Sequence, residues 1–350
     1  MKKLILALGM LLALPLHAST IDYSRWMAAL DDNTPITQVS IPGTHDTGTG
    51  DGFTDEWKTL GLTFGATQDC SLKQQLATGI RAFDLRPAVV NDNGKPQLHI
   101  FHGPMKTNLS FDEAIHTLIQ FVNANNTEFA FVVMRHESDS DHESADWSPT
   151  MAALLGSAEV RPYIVDYEPN LRVKDVRGKI IVLSRKHYAE KPIGGFVERW
   201  TSSDDINAQR GAVVWSEAGK GALYVQDYYD TRGPQMEMKL NNIVRLFDIS
   251  MNALQRDLSP LAETHMPLVI NHMSGYSEEK QIEGTTTNMA TNKGYRDNAA
   301  HTNKCAIKYL KKHKGPTGLV MMDYAGVNKS EGFRVRGLEL TQTVIKQNFK

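Results

Sequence analysis

Short apolar or β-branched runs recur along the chain, and each ends in a polar, charged or glycine-rich turn. Such near-continuous apolar runs are typical of strands that are buried on both faces, as in a parallel sheet. Eight runs are strand candidates: Ile36–Ile41, Ile80–Arg86, Leu98–Phe101, Phe129–Arg135, Ile180–Ser184, Ala222–Gln226, Pro267–Asn271 and Leu319–Asp323.

Helix-like stretches separate several of these runs. Residues Phe111–Asn125 follow Ser110 and place their apolar side chains on one stripe of a helix. Asn241–Leu258 and Asn298–His313 have a similar pattern. Alternating strands and helices favour an α/β fold, and eight strands favour a closed barrel. The pattern therefore predicts a single-domain (β/α)8 barrel of the TIM type over residues 19–350.

Titratable or polar side chains lie at the C-terminal ends of almost all the predicted strands. Barrel enzymes build their sites at this face, from the ends of different strands, although loops after strands are polar in any case. The residues at these ends are His45, Asp46, Asp84, Arg86, His102, Arg135, Arg185, Asp227, Asn271, His272 and Asp323.

The first residues are typical of a secretory signal peptide. Lys2 and Lys3 precede an apolar run over Leu4–Leu16, and a small residue, Ala18, follows it. The run is too short for a membrane-spanning helix. We therefore expect residues 1–18 to be removed and the mature protein to be secreted or periplasmic.

Composition and charge exclude some classes of function. Hydrophobic residues make up 41% of the 350 residues, as in an ordinary globular protein, and the formal net charge is −2. Nothing in this balance suggests a nucleic-acid partner. Export permits a disulfide between Cys70 and Cys305, but two separate buried thiols fit the sequence equally well.

Three segments combine strand ends with groups that could perform acid–base chemistry. Segment 41–48 (IPGTHDTG) places His45 beside Asp46 after a Pro-Gly turn, and imidazole titrates near neutral pH. Segment 79–87 (GIRAFDLRP) places Asp84 and Arg86 on one face of a strand, where the guanidinium could hold a phosphate. Segment 98–104 (LHIFHGP) ends in His102. Taken singly, a surface His–Asp pair and a structural Arg–Asp pair are the alternatives.

In this order, IPGTHD, GIRAFDLR and HIFHGP resemble the catalytic X region of bacterial phosphatidylinositol-specific phospholipases C. Weaker similarity continues through RGKIIVLSR (177–185), VQDYY (225–229) and MMDY (321–324), so that the resemblance spans about residues 36–328. It implies a distorted, incomplete TIM-type barrel that acts on phosphatidylinositol or a related inositol phospholipid.

The resemblance also implies roles for individual side chains. His45 would be the general base that acts on the inositol 2-hydroxyl, and His102 the acid that protonates the departing diacylglycerol oxygen. Arg86 would stabilise the phosphate. Asp323 would orient His45, and Asp46 would assist His102 or Arg86. The product would be inositol 1,2-cyclic phosphate.

Headgroup contacts and metal use follow from further positions. Arg185, Asp227 and Tyr229 are similar to the sugar-contacting residues of the family, and Arg135 or His136 stands where the family has a lysine. Arg86 replaces an acid of calcium-using relatives, so we expect no metal and no cofactor. Asp84 and Glu137 are the residues that could contradict this.

Membrane contact and assembly are less readable from the sequence. Phe53, Trp57, Leu60, Leu62 and Phe64 form an apolar stretch after His45, and such a segment can enter a bilayer interface or pack on the barrel. We expect peripheral membrane contact and a monomer. Two rival functions stay open: a metal-dependent phosphodiesterase acting on glycerophosphodiesters, and an inactive lipid- or sugar-binding barrel.

Overall fold

The computed structural model describes residues 21–252, 265–277, 279–281 and 288–349. The predicted signal peptide lies outside these residues, as does the end of the predicted helix Asn241–Leu258. The strands, in chain order, are β1 Ile41–Thr44, β2 Ala82–Leu85, β3 Pro87–Asp92, β4 Lys95–His102, β5 Met105–Ser110, β6 Ala130–Met134, β7 Ile180–Ser184, β8 Gly195–Glu198, β9 Ala212–Trp215, β10 Lys220–Gln226, β11 Leu268–His272, β12 Glu279–Gln281, β13 Asn288–Ala290 and β14 Leu319–Met322.

Nine of the described strands close into a barrel in the order β1-β14-β11-β10-β9-β8-β7-β6-β2. Eight of them run parallel, and β9 runs antiparallel to both of its neighbours, β8 and β10. The predicted TIM-type α/β barrel is therefore confirmed, including its distortion. The expectation of an incomplete barrel is wrong, because β9 completes the sheet between β8 and β10.

Two predicted barrel strands differ from the structure. Residues Ile36–Gln38 form a 3₁₀ turn in place of a strand, and Ile36 and Val39 are buried at the three-residue spacing of that helix. The run Leu98–Phe101 belongs to β4, which pairs with β3 and β5 in a separate antiparallel sheet. The reason is the Asn93-Gly94 turn, where both residues have positive φ and reverse the chain into a hairpin.

Helices cover the outside of the barrel. Their bounds are α1 Lys58–Phe64, α2 Leu72–Ala77, α3 Phe111–Ala124, α4 Trp147–Leu155, α5 Val173–Val176, α6 Ile206–Gln209, α7 Gln235–Met251, α8 Asn292–Leu310 and α9 Gly337–Gln347. The predicted helix after Ser110 is α3, and the Ser110 side chain accepts a hydrogen bond from the Glu113 amide at 3.1 Å. Helix α8 begins earlier than predicted, at a cap formed by Thr291.

Alternation along the strands divides the core into two layers. Phe131 and Val133 of β6 pack in the barrel interior, whereas Val132 and Met134 pack among the helices. In β1 the residue that faces the interior is Gly43. A Cβ at this position would lie 2.8 Å from Ala82 Cβ, so a larger side chain would not fit. Gly43 thus permits close packing inside a strand and forms no turn.

Both cysteines are free thiols. Across the described ranges, no helix combines the length and apolarity needed to cross a bilayer.

Candidate active site

The inward series of strand positions continues into the side chains at the C-terminal mouth of the barrel. In β1 the series Ile41, Gly43 reaches His45, and in β14 the series Leu319, Met321 reaches Asp323. The same step of two places Asp84, Arg135, Arg185, Asp227 and His272 at the mouth. The sequence pattern therefore gathers polar side chains from seven strands above an apolar barrel core.

His45 is held between two carboxylates. Its Nδ1 lies 2.9 Å from Asp323 Oδ1, and its Nε2 lies 3.2 Å from Asp46 Oδ2. In the neutral ring Nδ1–H donates to Asp323, which leaves the lone pair on Nε2, the nitrogen beside Asp46. The carbonyl of His45 accepts from the Gln68 side chain at 2.8 Å, and this bond fixes the backbone at the strand end.

Asp46 lies at the centre of the site. Its backbone is left-handed, with φ 46°, which aspartate tolerates better than most residues and which brings its side chain to the same mouth as His45. Asp46 Oδ1 is 2.7 Å from Arg86 Nε, in a charge pair outside hydrogen-bond alignment. Asp46 Oδ2 is 3.4 Å from His102 Nε2. One buried carboxylate therefore contacts both imidazoles and the guanidinium.

Arg86 is also tied to Asp84. Arg86 Nη2 donates to Asp84 Oδ2 at 3.0 Å, and the Asp46 amide donates to the same oxygen at 3.2 Å. The shared strand face expected for Asp84 and Arg86 is thus occupied by an ion pair. Only 12% of the Arg86 side chain is exposed, so the guanidinium is held between the two carboxylates and mostly shielded from solvent.

His102 reaches the site from the antiparallel sheet β3-β4-β5. It is the last residue of β4, and the amide of Phe101 donates to the Arg86 carbonyl at 3.0 Å, which anchors this sheet to the barrel. The His102 Nδ1–H donates to the Gly65 carbonyl at 2.6 Å. Nε2 therefore faces Asp46 and the mouth.

Burial and charge shift the titration of these groups. Burial disfavours protonation of His45, but Asp46 and Asp323 outweigh it and raise the pKa of His45 to about 9. Burial also disfavours ionisation of Asp46 and Asp84, but Arg86 outweighs it and holds the pKa of each carboxyl below its usual value. The pKa of Arg86 rises further above its ordinary range, since burial is outweighed by Asp46 and Asp84.

The proposed headgroup residues lie on the other side of the mouth. The Arg185 guanidinium carbon stacks 4.0 Å above the Trp200 ring, and Arg185 Nη1 is 4.0 Å from Asp227 Oδ2. Trp200 Nε1 donates to Asp227 at 2.8 Å. Tyr229 is 49% exposed and its ring lies near that of Tyr276.

The two candidates for the position after β6 differ. Arg135 is 39% exposed and donates to both carboxylate oxygens of Glu137, at 2.8 and 2.7 Å. His136 is buried, pairs with Asp141 at 2.8 Å and stacks on Trp147. Since His136 is engaged with structural neighbours, Arg135 is the better candidate for a headgroup contact. Glu137 is likewise bound to Arg135.

Three further side chains complete the mouth. His272, one of the residues expected at a strand end, is buried with its ring 6.0 Å from His45, and burial lowers its pKa to about 4. Tyr295 lies 6.0 Å from the His102 ring, ring centre to ring centre, and Trp200 braces Asp227. The alternation in β11 also predicts His272. Trp200 follows β8, a four-residue strand that the apolar pattern did not reveal.

His45, Asp46 and Asp84 offer ligand atoms that lie within 4.8 Å of one another, which is close enough for one metal ion. Both carboxylates are already engaged by the guanidinium of Arg86, at 2.7 and 3.0 Å. A divalent cation at this point would meet that fixed positive charge. The donor set therefore fits a metal poorly while Arg86 stays in place.

The apolar stretch after His45 divides into two groups. Phe53 and Phe64 are buried against Met105, and Trp57 packs partly on them. Leu60 and Leu62 on α1 are 42% and 58% exposed. Packing on the barrel thus accounts for the first group and leaves the two leucines facing solvent.

Comparison with known proteins gives consistent results. Residues 54–186 match the family model for the phosphatidylinositol-specific phospholipase C X domain. A 1-phosphatidylinositol phosphodiesterase from Listeria monocytogenes is 31% identical over 229 residues, which are 65% of this chain and 64% of that protein. A protein of the same name from Staphylococcus aureus strain Newman is 23% identical over 319 residues, 86% of this chain and 88% of that protein.

Two solved structures share the fold. Phosphatidylinositol-specific phospholipase C from Listeria monocytogenes has a TM-score of 0.63 at 24% identity, covering 93% of this chain and 99% of that one. A mutant of the phosphatidylinositol-specific phospholipase C from Staphylococcus aureus has a TM-score of 0.69 at 19% identity, covering 92% and 96%. The chain spans just under two thirds of the length of the Listeria relative found by sequence.

Proposed function

We propose that this chain is a member of the phosphatidylinositol-specific phospholipase C family and that it cleaves phosphatidylinositol into inositol 1,2-cyclic phosphate and diacylglycerol. The observation that carries the proposal is the single carboxylate, Asp46, in contact with His45, His102 and Arg86. Two imidazoles and a guanidinium in one pocket are the groups that phosphoryl transfer to an internal alcohol requires.

The first step assigns His45 as general base. Its Nε2 takes the proton of the inositol 2-hydroxyl while Asp323 holds Nδ1–H and stabilises the imidazolium that forms. The 2-oxygen then forms a bond to phosphorus. Because nucleophile and phosphorus belong to one molecule, no second reactant has to be captured.

The second step assigns His102 as general acid. The bond from phosphorus to the glycerol oxygen breaks, and His102 Nε2 delivers its proton to that oxygen. The Gly65 carbonyl fixes the ring through Nδ1, so that Nε2 points to the leaving group. Arg86 donates to the non-bridging oxygens and stabilises their developing charge, while Asp46 and Asp84 hold the guanidinium in place.

The decisive experiment is ³¹P NMR of the purified protein with phosphatidylinositol and excess chelator. We expect a cyclic phosphodiester signal. His45→Ala and His102→Ala should each lower the rate by roughly 10²–10⁴-fold. The control is His116→Ala, which changes a partly exposed histidine on α3. A His45→Ala protein with the wild-type rate would remove this mechanism.

A metal-dependent phosphodiesterase is the second candidate, and the favouring observation is the cluster His45, Asp46 and Asp84. The same NMR experiment separates the two functions. Turnover that disappears in chelator and returns with Ca²⁺ would favour the metal enzyme. Turnover that is unchanged by chelator agrees with the role given to Arg86.

Headgroup and membrane contacts are part of the proposal. Arg185, Asp227 and Tyr229 would bind inositol hydroxyls and the ring face, and Arg135 would approach from β6. The exposed leucines of α1 would enter the lipid interface beside the mouth. A phosphatidylinositol-specific phospholipase C from Staphylococcus aureus has the same fold, and its structure was solved in work on the modulation of its membrane binding. This similarity supports a lipid contact here.

Export also remains a proposal, and its support is the segment 1–18 of the sequence alone. N-terminal sequencing of protein recovered from periplasm or medium should begin at Ser19, and a retained Met1 would contradict it. The monomeric state and the lack of a nucleic-acid partner stay predictions.

A further inference from the structure

One fully buried cation near the barrel mouth takes no part in the proposed reaction steps. Lys239 lies near the start of α7, and none of its side chain is exposed. Its Nζ donates to Gln226 Oε1 at 3.2 Å and to the carbonyl of Tyr228. A lysine is almost never fully buried unless its amino group is paired, because desolvation of the charge is costly. The position of the two acceptors therefore indicates what Lys239 does.

Both acceptors of Lys239 flank Asp227, the carboxylate assigned to the inositol headgroup. Gln226 is the last residue of β10, and Tyr228 is the residue after Asp227. The Tyr228 amide also donates to Gln226 Oε1, at 2.9 Å. Lys239 thus closes a ring of hydrogen bonds around the backbone of Asp227, and α7 fixes the direction in which this turn leaves the strand.

The same bonds connect Lys239 to the neighbouring strand. Gln226 Nε2 donates to Asn271 Oδ1 at 2.9 Å and to the His272 carbonyl at 2.7 Å. Asn271 Nδ2 in turn donates to the carbonyl of Ile243, on α7, at 3.0 Å. The bonds therefore run from α7 to β10, on to β11 and back to α7. Gln226 and Asn271 are fully buried, so water does not compete for the bonds of this network.

The charge of Lys239 interacts with two carboxylates of the mouth. Burial lowers the pKa of Lys239 to about 7, and Asp227 and Asp323 oppose this shift, with Asp227 the larger of the two. Among the described residues, no hydrogen bond joins Lys239 to Asp323, whereas both of its acceptors lie beside Asp227. The contacts therefore place the effect of Lys239 on the headgroup side of the mouth.

A primary amine suits this position in both of its protonation states. The ammonium has three N–H groups and the neutral amine has two, and two acceptors are present. The hydrogen bonds to Gln226 and Tyr228 therefore persist whether or not Lys239 carries a proton near neutral pH. A methionine of similar length would fill the same space and would bond neither oxygen.

We propose that Lys239 is a positioning residue for the headgroup site, which holds the turn after β10 so that Asp227 and Tyr229 meet the inositol ring. This inference rests on the proposed function, because that function assigns Asp227 and Tyr229 to the headgroup. Lys239 itself is fully buried and does not touch the substrate. Its effect therefore belongs to binding of the ring, and not to proton transfer at His45 or His102.

Kinetics of the full chain on a water-soluble, short-chain phosphatidylinositol that is present as monomers test this role. Lys239→Met should raise KM about tenfold and lower kcat less than about threefold, because headgroup contacts stabilise the bound substrate and the transition state alike. The inhibition constant of free myo-inositol should also rise about tenfold, since this probe contains the ring without the phosphate.

Two further variants separate positioning from a general effect on the fold. Arg245→Met is the matched control, because it replaces an exposed cation on the same helix with the same residue, and it should leave both constants unchanged. Lys239→Gln keeps a donor on a side chain that is one atom shorter, and we expect it to bond one of the two acceptors. Its KM should rise about threefold, which gives a second measurement where Lys239→Met does not fold.

A double-mutant cycle with Asp227→Asn shows whether Lys239 acts through Asp227. Residues that act through one another have non-additive effects, so Lys239→Met should raise KM less than about threefold when Asp227→Asn is already present. A merely structural loss would instead appear in full in both backgrounds. The cycle therefore distinguishes positioning of Asp227 from a general loosening of α7.

Several results would overturn the inference. They are a folded Lys239→Met protein with wild-type KM and myo-inositol constants, an unchanged KM in Lys239→Gln, additive effects in the cycle, and an equal rise of KM in Arg245→Met. A loss of kcat without a rise of KM would also overturn it, and would place the effect at Asp323. Failure of the proposed function is recognised separately, because wild type would then form no cyclic phosphodiester from phosphatidylinositol in the NMR experiment.

Discussion

At the scale of single residues, the charge balance around His45 sets its protonation state. The imidazole is 13% exposed and lies between Asp46 and Asp323. These carboxylates outweigh burial and raise the pKa of His45 to about 9, so the ring of the free protein carries a proton at neutral pH. That proton must leave before His45 can act as a base, and kcat/KM should therefore rise with pH up to this pKa.

Asp323→Asn should shift this pH dependence. The amide keeps an oxygen opposite His45 Nδ1 but removes a negative charge, so the pKa of His45 falls and the acid limb of kcat/KM moves to lower pH. The maximal rate should fall by about 10²-fold or more, because the imidazolium formed during reaction loses its partner. A pH–rate profile of cleavage measures both effects. The control is Asp297→Asn, beside the exposed His301; an acid limb that stays in place would contradict the assignment of His45.

The same pKa predicts how stability depends on pH. A folded-state pKa of about 9, above the ordinary value of 6.5, stabilises the fold fully below pH 6.5 and loses that effect as pH rises through 9. The contribution amounts to about 3 kcal/mol. Lys239 has the opposite effect on the pH dependence of stability. Burial lowers its pKa to about 7, so its contribution to stability increases as pH rises. Urea unfolding of wild type and His45→Gln between pH 6 and 9.5 isolates His45, and their difference should shrink with pH; a constant difference would exclude this role.

At the scale of elements, strand alternation explains why much of the site can be predicted from the sequence. Once an inward apolar position is known, every second residue is inward, so the apolar series in β7 leads to Arg185 and that in β10 leads to Asp227. The same step leads from Leu268 and Ile270 in β11 to His272. The alternation within a regular strand therefore predicts which residue at its end faces the mouth.

Irregular elements are where prediction from the sequence fails. The alternation does not predict Trp200, because this residue lies beyond the short strand β8. It also does not predict the contact of His102 with the Gly65 carbonyl, because a backbone group has no characteristic residue type. His102 is identifiable from its motif, but its strand lies in a different sheet from the predicted one, because the Asn93-Gly94 turn makes a hairpin there. Long-range placement of such loops depends on packing partners that are distant in the chain.

A buried ion pair at the foot of β2 should dominate the stability of this region. Arg81 Nε donates to Glu128 at 2.9 Å, both side chains are fully buried, and Arg81 also donates to backbone carbonyls. Glu128→Gln would leave a buried cation without its counter-charge and should cost about 3–5 kcal/mol of unfolding free energy. The control is Glu339→Gln, whose pairs with Lys311 and Arg336 are largely screened by solvent, and it should cost less than about 1 kcal/mol. Equal losses in denaturant unfolding would contradict this difference.

At the scale of the whole molecule, the barrel separates a chemical end from a structural end. The C-terminal strand ends carry the histidines, the guanidinium and α1, whose following residue Gly65 binds His102. At the opposite end Asn348 bonds both the amide and the carbonyl of Ser40, which ties the last residues to the start of β1. If the proposed function holds, lipid approaching the mouth meets the exposed leucines of α1 before it reaches the proposed catalytic groups.

The proposed lipid contact predicts a difference between substrates. Leu60→Ser/Leu62→Ser should lower cleavage of phosphatidylinositol in vesicles by about tenfold or more, since each leucine contributes apolar area to the interface. Cleavage of a water-soluble, short-chain phosphatidylinositol that is present as monomers should be unchanged, because Phe64 and Gly65 keep α1 packed and His102 in place. The control is Phe349→Ser, which removes an exposed aromatic at the structural end. Equal losses on both substrates would mean that the leucines support His102 rather than lipid, and an unchanged vesicle rate would exclude α1 as the contact surface.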